Sequence, residues 1–106
     1  MFYYVVKAEI IDGVTDLSEI ETNPVKFTCR ATGEPVPSIS WYFNNAVINL
    51  SDTSKYYVSN SSNQSVFTSS LTILNVQSSD AGTYSCRASN IIGSDQSSGL
   101  LTVNSK

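Results

Sequence analysis

Apolar and polar side chains alternate along several short stretches of the chain. In PVKFTCRA, the apolar side chains of Val25, Phe27, Cys29 and Ala31 share one face, and polar side chains occupy the other. The stretches SISWYF, SVFTSSLTIL, GTYSCRAS and GLLTV repeat this alternation, and no segment sustains a helical apolar repeat. Because a period of two is that of a half-buried strand, the pattern predicts about eight or nine short strands in an all-β sandwich.

Turn-forming residues separate the predicted strands, and one such stretch is rich in serine and asparagine. Residues 59–65 read SNSSNQS. The short side chains of serine and asparagine hydrogen-bond to nearby backbone and so compete with regular pairing. The composition therefore predicts a flexible loop or hairpin tip at residues 59–65.

The charge of the chain is small and acidic. The formal net charge is −3, and charged residues make up 14% of the sequence. The basic residues are scattered along the chain and form no cluster. A surface that binds nucleic acid needs clustered lysine and arginine to neutralise phosphates, so nucleic acid is excluded as a partner.

Length and hydropathy set the domain organisation. A chain of 106 residues predicts one domain over residues 1–106, and no apolar run approaches the roughly 20 residues of a membrane helix. The opening is apolar as far as Val6 and then reaches Lys7, without the basic region and cleavage site of a signal peptide. We expect no direct membrane contact in this segment and expect it to be excised from a larger multidomain protein.

The chain contains two cysteines and no histidine. Cys29 and Cys86 are too far apart for a Cys-x-x-Cys redox pair, and without histidine they cannot form an ordinary zinc site. One long-range disulfide is the economical interpretation. A nucleophile also needs a general base, most often histidine, and the acids of residues 12–21 are interpreted as a solvated edge. We therefore expect no enzymatic activity, metal site or cofactor.

A pattern of Cys29, Trp41 and Cys86 runs through the predicted strands, with further matches around each. This pattern resembles the immunoglobulin superfamily, specifically its intermediate or I-set type. The resemblance covers most of the chain and implies a Greek-key sandwich of two sheets with its core in residues 5–104. The other matching positions are Phe27, Ala31, Gly33, Pro35, Pro37, Ile39, Leu71, Ile73, Val76, Asp80, Gly82, Tyr84, Ala88, Asn90, Gly93, Leu101 and Val103.

The resemblance implies a structural role for most of these residues. A Cys29–Cys86 disulfide would tie the two sheets together, and Trp41 would pack against it. Tyr84 would form a tyrosine corner, its hydroxyl bonded to backbone near Asp80. The remaining expectations are an ion pair between Asp80 and Lys55, a crowded or positive-φ turn at Gly82, a core position at Leu71, and a last hairpin turn set by left-handed Asn90 and Gly93.

Three features depart from the family pattern or refine it. Pro24 replaces the usual glycine and, lacking a backbone donor, is expected at a strand start or an edge. The short interval between Trp41 and Leu71 predicts a short C′ strand and no C″ strand. The first strand, YYVVKAEI, matches least and is expected to be split between the sheets.

Three sequons for N-linked glycosylation begin at Asn49, Asn60 and Asn63. Asparagine, serine and threonine are so frequent here that about two sequons are expected by chance. Their position is more informative than their number, because all three fall in the loops predicted between strands C and E. A glycan attached there would project into water.

The resemblance implies a recognition or adhesion module from the extracellular part of a cell-surface or secreted protein. Its partners would be proteins, bound homophilically or heterophilically, and neighbouring domains of the same chain. The alternatives are an intracellular structural module like those of giant muscle proteins, with reduced cysteines, and a soluble immune recognition protein. Tyrosine and exposed apolar side chains are favoured at such contacts, and the candidates are Ile91, Ile92, Tyr42, Phe43, Tyr56, Tyr57, Tyr3 and Tyr4.

Overall fold

The computed structural model describes residues 4–106, so Tyr3 lies outside the described residues. These residues contain nine strands and one 3₁₀ turn, Ser78–Asp80. The strands are β1 (Val6–Asp12), β2 (Leu17–Ile20), β3 (Val25–Glu34), β4 (Ser38–Phe43), β5 (Ala46–Val47), β6 (Tyr56–Asn63), β7 (Val66–Ile73), β8 (Gly82–Ser89) and β9 (Ser94–Asn104).

The strands form two sheets that pack face to face. One sheet has the order β1-β3-β7-β6 and the other the order β2-β9-β8-β4-β5. Every pair is antiparallel except β2 with β9, which is parallel. The predicted all-β immunoglobulin-like sandwich is therefore confirmed.

The alternating pattern sets which face of each strand is buried. In β3, Val25, Phe27, Cys29 and Ala31 are buried while Lys26 and Thr28 are exposed. A shift of one residue against β7 would reverse both sets, so the pattern also fixes the register. Leu71, assigned to the core, is fully buried, and Pro24 lies immediately before β3, as predicted.

The start of the chain crosses from one sheet to the other, but later than expected. All of β1 lies beside β3, and the change of sheet occurs between Asp12 and Leu17. The short segment LSEI then forms β2 along β9. Val14 is buried at the crossing, and its backbone N–H donates to Ser97 Oγ at 3.0 Å. The prediction of a first strand split within YYVVKAEI is therefore wrong.

Most of the stretch rich in serine and asparagine is strand: residues 59–63 belong to β6, and only Gln64 and Ser65 form the predicted hairpin tip. β6 pairs with β7 without a break from Tyr56↔Ile73 to Asn63↔Val66. Backbone pairing along the whole of β7 outweighs the turn preference of the β6 side chains. Asn60 and Asn63 consequently lie on a strand, whereas Asn49 lies in the segment between β5 and β6, as predicted. The two-residue β5 confirms the short C′ strand.

Candidate interaction surface

The two cysteines are joined in a disulfide bond between β3 and β8, which belong to different sheets. Their Cα atoms lie 6.5 Å apart, and both residues are completely buried. The predicted Cys29–Cys86 bond is confirmed. Residues 4–106 hold no free thiol, so neither sulfur is available as a nucleophile.

Trp41 occupies the centre of the core beside the disulfide. Its cross-strand neighbour on β8 is Cys86, and its side chain belongs to the same buried cluster as both cysteines. The indole Nε1–H donates to Ser69 Oγ of the opposite sheet at 2.9 Å. The residue therefore contributes both apolar area and a buried hydrogen bond between the sheets.

Tyr84 forms the predicted tyrosine corner. Its hydroxyl donates to the backbone carbonyl of Asp80 at 2.8 Å, and its ring centroid lies 5.0 Å from that of Phe27 and 4.8 Å from that of Phe43. Gly82 has a φ of 152°, and a Cβ there would lie 2.7 Å from Asn44 Oδ1. Both the positive φ and the crowding predicted for Gly82 are confirmed.

Asp80 is a buried carboxylate with two partners. Oδ1 lies 2.7 Å from Lys55 Nζ, as predicted, and Oδ2 accepts a hydrogen bond from the Gln77 backbone N–H at 2.8 Å. The Asp80 side chain is only 6% exposed, so the pair is screened less than a surface salt bridge. The hydrogen bond to Asp80 raises the pKa of Lys55. The pair thus joins the residue just before β6 to the 3₁₀ turn and has a structural role.

Alkaline pH is expected to destabilise the fold through this corner. Burial raises the pKa of Tyr84 above its ordinary value of 10.0, and Asp80 raises that of Lys55 above 10.5. Both groups therefore bind protons more tightly in the folded chain than in the unfolded chain, so stability falls as pH rises above about 10. Urea unfolding at pH 9 and pH 11 should show this fall. The fall in the free energy of unfolding between the two pH values should be smaller in Tyr84→Phe than in the control variant Tyr57→Phe, which removes an exposed hydroxyl.

The acidic residues are dispersed and engaged with other partners. Asp12 pairs with Arg30 at 2.7 Å, Asp16 Oδ1 accepts from the Leu100 backbone N–H, and Glu19 Oε1 accepts from Asn23 Nδ2. In the part of the chain that the structure describes, no three histidine, cysteine or acidic side chains are grouped to hold a metal ion. That part also lacks a helix long and apolar enough to cross a bilayer.

Asn90 fixes one end of the sandwich. Its Oδ1 accepts from the backbone N–H groups of Ala8, Ile92 and Gly93, and its Nδ2 donates to the carbonyls of Val6 and Pro35. Asn90 and Gly93 set this turn, as predicted, since the Asn90 backbone N–H donates to the Gly93 carbonyl at 3.0 Å. Neither residue has a positive φ, so the expected left-handed conformation is not adopted. Asn90 shapes the hairpin with its side chain instead. Gly33 makes room for it, since a Cβ there would lie 2.9 Å from Asn90 Nδ2.

Several exposed apolar side chains lie on the segments that the side chain of Asn90 connects. We call this set, Tyr4, Val5, Val36, Ile91 and Ile92, the end patch. Ile91 is 85% exposed and Tyr4 is 78% exposed. The segments that carry these residues are joined at Asn90, whose hydrogen bonds reach both Val6 and Pro35. The end patch therefore presents apolar groups from three distant parts of the sequence on a braced backbone.

The other candidate contact residues lie elsewhere. Tyr42 is half-buried on the outer face of β4 and, with Asn45, Arg87 and Gln96, lines a shallow pocket of about 210 Å³. Phe43 and Tyr56 pack against the core, and burial raises the pKa of Tyr56. Tyr57 is 60% exposed on β6. Phe43 and Tyr56 are therefore partly buried against the core, and Tyr42 and Tyr57 are separate from the end patch.

Residues 8–103 match the immunoglobulin I-set domain family. The BDNF/NT-3 growth factors receptor of Gallus gallus is 40% identical over 90 residues, which cover 83% of this chain and 10% of the receptor. Neural cell adhesion molecule 1 of Homo sapiens is 37% identical over 90 residues, covering 74% of this chain and 10% of that protein. The structure of titin domain M7 has a TM-score of 0.82 at 31% identity, covering 97% of this chain and 99% of that domain.

These similarities confirm the resemblance seen in the sequence and set its limits. The chain spans about a tenth of the length of these two curated relatives. I-set domains occur both in adhesion receptors and in titin-like intracellular proteins. Family membership therefore supports a module for protein contact and leaves its compartment open.

Proposed function

Because the chain belongs to the immunoglobulin I-set family, we propose that it is an extracellular recognition or adhesion module that binds another protein without catalysis. It acts as one domain of a larger cell-surface or secreted protein, beside neighbouring domains of the same chain. Its partner is a protein, either a second copy of the chain or a different one. The main alternative is an intracellular structural module, and a soluble immune recognition protein is a third.

The disulfide favours the proposed extracellular location over the intracellular alternative. Cys29 and Cys86 are bonded within the core, and such bonds persist in oxidising compartments and are rare in the cytosol of most cells. Relatives of the chain include receptors and an adhesion molecule. The structural likeness to titin supports the intracellular alternative, so a functional test has to separate the two.

The end patch is the observation that carries the proposal of protein contact. Grouped, exposed apolar side chains mark interaction sites more often than scattered ones do. The five side-chain hydrogen bonds of Asn90 brace the backbone beneath them, so binding would cost little loop entropy. An isoleucine that is 85% exposed at the tip of the last hairpin is placed to enter a pocket of a partner.

Binding to intact cells tests both the compartment and the surface. The chain, produced by secretion, is displayed as a fluorescent tetramer, since multivalency raises the avidity of weak contacts. We expect it to bind living cells from the tissue that expresses its parent protein, or beads that carry the same chain. Ile91→Asp should lower binding at least tenfold because a carboxylate cannot enter an apolar site. Leu100→Asp, at another exposed apolar position on β9, is the matched control.

The remaining outcomes of the cell-binding experiment each contradict part of the proposal. Binding that appears only after cells are permeabilised would overturn the extracellular module in favour of the intracellular one. Equal losses in Ile91→Asp and Leu100→Asp would remove the end patch as the contact surface. An absence of binding to cells and to beads would overturn protein recognition by this chain.

A further inference from the structure

The two sheets expose edge strands that are protected to different degrees. Natural proteins protect sheet edges with short strands, charges, prolines or bulges, because an open edge pairs with other chains. In the described part of the chain, β5 has two residues and β2 has four, with Glu19 among them. β1 carries Lys7, Glu9 and Asp12, and its register with β3 is interrupted twice. Each of these three edges therefore carries at least one of the features that prevent pairing with another chain.

The fourth edge, β6, has none of these devices. Its eight residues, YYVSNSSN, include no charge and no proline. Its register with β7 has no bulge from end to end. About half of the backbone N–H and C=O groups of an edge strand point away from its only neighbour. β6 therefore offers a long, regular row of unpaired backbone groups.

Two sequons lie on this unprotected edge. Asn60 is paired with Ser69 of β7 and Asn63 with Val66, and both asparagines are exposed. Successive side chains of a strand point to opposite faces. Because Asn60 and Asn63 are three residues apart, their side chains point to opposite faces of the same edge. Glycans on the two residues would flank the edge from both sides.

Resting on the extracellular location proposed above, we propose that N-linked glycans at Asn60 and Asn63 close the β6 edge, and that the unglycosylated edge pairs with β6 of a second copy. In the transfer, Asn Nδ2 displaces the diphosphate of a lipid-linked oligosaccharide at its C1 carbon and loses one proton, forming the N-glycosidic bond. Antiparallel pairing about a two-fold axis would join two four-stranded sheets into one of eight strands. A strand without charges has no like-charge repulsion to prevent it.

The first arm of the test measures self-association without glycans. Protein made in bacteria, with the Cys29–Cys86 bond formed, is followed by sedimentation velocity over a wide concentration range. We expect a reversible dimer. Ser59→Lys with Ser61→Lys should weaken it at least tenfold, since both residues are exposed and neither change removes a sequon. Thr28→Lys with Thr102→Lys adds the same charge on β3 and β9, which have neighbours on both sides, and should leave the dimer intact.

The second arm measures the effect of the glycans. In protein secreted by animal cells, we expect glycopeptides at Asn60 and Asn63 and no dimer at the concentrations at which the bacterial protein dimerises. Asn60→Gln with Asn63→Gln should restore the dimer, with an association constant at least tenfold higher. Asn49→Gln, which removes the sequon between β5 and β6, should leave the protein monomeric.

The outcomes that overturn this proposal differ from those that overturn the proposed function. If Asn60 and Asn63 are both unglycosylated in secreted protein, the proposal that glycans close the β6 edge is overturned. A strict monomer without glycans, or a dimer insensitive to the two lysines of β6, would overturn the pairing. None of these results depends on cell binding through the end patch, and loss of cell binding would leave the sedimentation result unchanged.

Discussion

Replacing both Cys29 and Cys86 by alanine is expected to lower the free energy of unfolding by about 4 kcal/mol or more. The bond closes a loop of 57 residues in the unfolded chain, and the lost loop entropy corresponds to about 4 kcal/mol. Because both residues are completely buried, the missing sulfur atoms also leave space in the core, which adds to the loss. Total stabilities of small domains are roughly 5–15 kcal/mol, so the variant should be partly unfolded at body temperature.

Urea unfolding followed by circular dichroism measures this loss, and reduction of the unaltered protein separates its two parts. A reducing agent opens the loop and keeps both sulfur atoms in place, so reduced protein should lie between the oxidised protein and the double variant. The reducing agent should not affect the double variant. Equal stabilities of the oxidised protein and the double variant would show that the bond contributes nothing.

The core was predictable because its signal is local in sequence. Each of β3, β4, β7 and β8 carries its own alternation, and the burial of Val25, Phe27, Cys29 and Ala31 follows from the period of two. The Tyr84 corner and the Lys55–Asp80 pair followed from the family resemblance. In these elements local preference and the global fold agree, as they do in most natural sequences.

Strand β6 was not predictable from its own residues. Serine and asparagine at 59–63 favour turns, yet β7 offers eight consecutive positions for pairing. The partner strand therefore decides the conformation, which is the usual way in which tertiary context overrides weak strand propensity. A scan of β6 alone cannot detect this, because the cause lies in β7.

The end patch was only partly predictable, for a similar reason. The sequence indicates Ile91 and Ile92 in a predicted hairpin and Tyr4 at the start of the chain, but not Val5 or Val36. The residue that groups them is Asn90, which is bonded to backbone atoms 82 and 84 positions away in the sequence. Such contacts depend on the finished sandwich. A loop asparagine followed by two isoleucines was the one local signal that could have indicated the site.

Replacing Trp41 by alanine is expected to lower the free energy of unfolding by about 4 kcal/mol, within the range of large core truncations. Trp41 is 1% exposed and belongs to the buried cluster that contains the disulfide. Its removal also leaves the buried Ser69 hydroxyl without the indole donor, which carries a penalty of its own. The measurement is urea unfolding by circular dichroism, because Trp41 is the only tryptophan and the variant loses the fluorescence signal.

A double-mutant cycle separates the apolar area of Trp41 from its hydrogen bond. Trp41→Phe keeps most of the ring area but leaves Ser69 Oγ without its hydrogen-bond donor. Ser69→Ala leaves the indole Nε1–H without its acceptor. Each variant should lower the free energy of unfolding by about 1–3 kcal/mol. In Trp41→Phe with Ser69→Ala neither polar group remains, and the combined loss should be smaller than the sum of the two single losses. Additive losses would mean that the 2.9 Å contact contributes nothing. The stability supplied by Trp41 would then come from apolar burial alone.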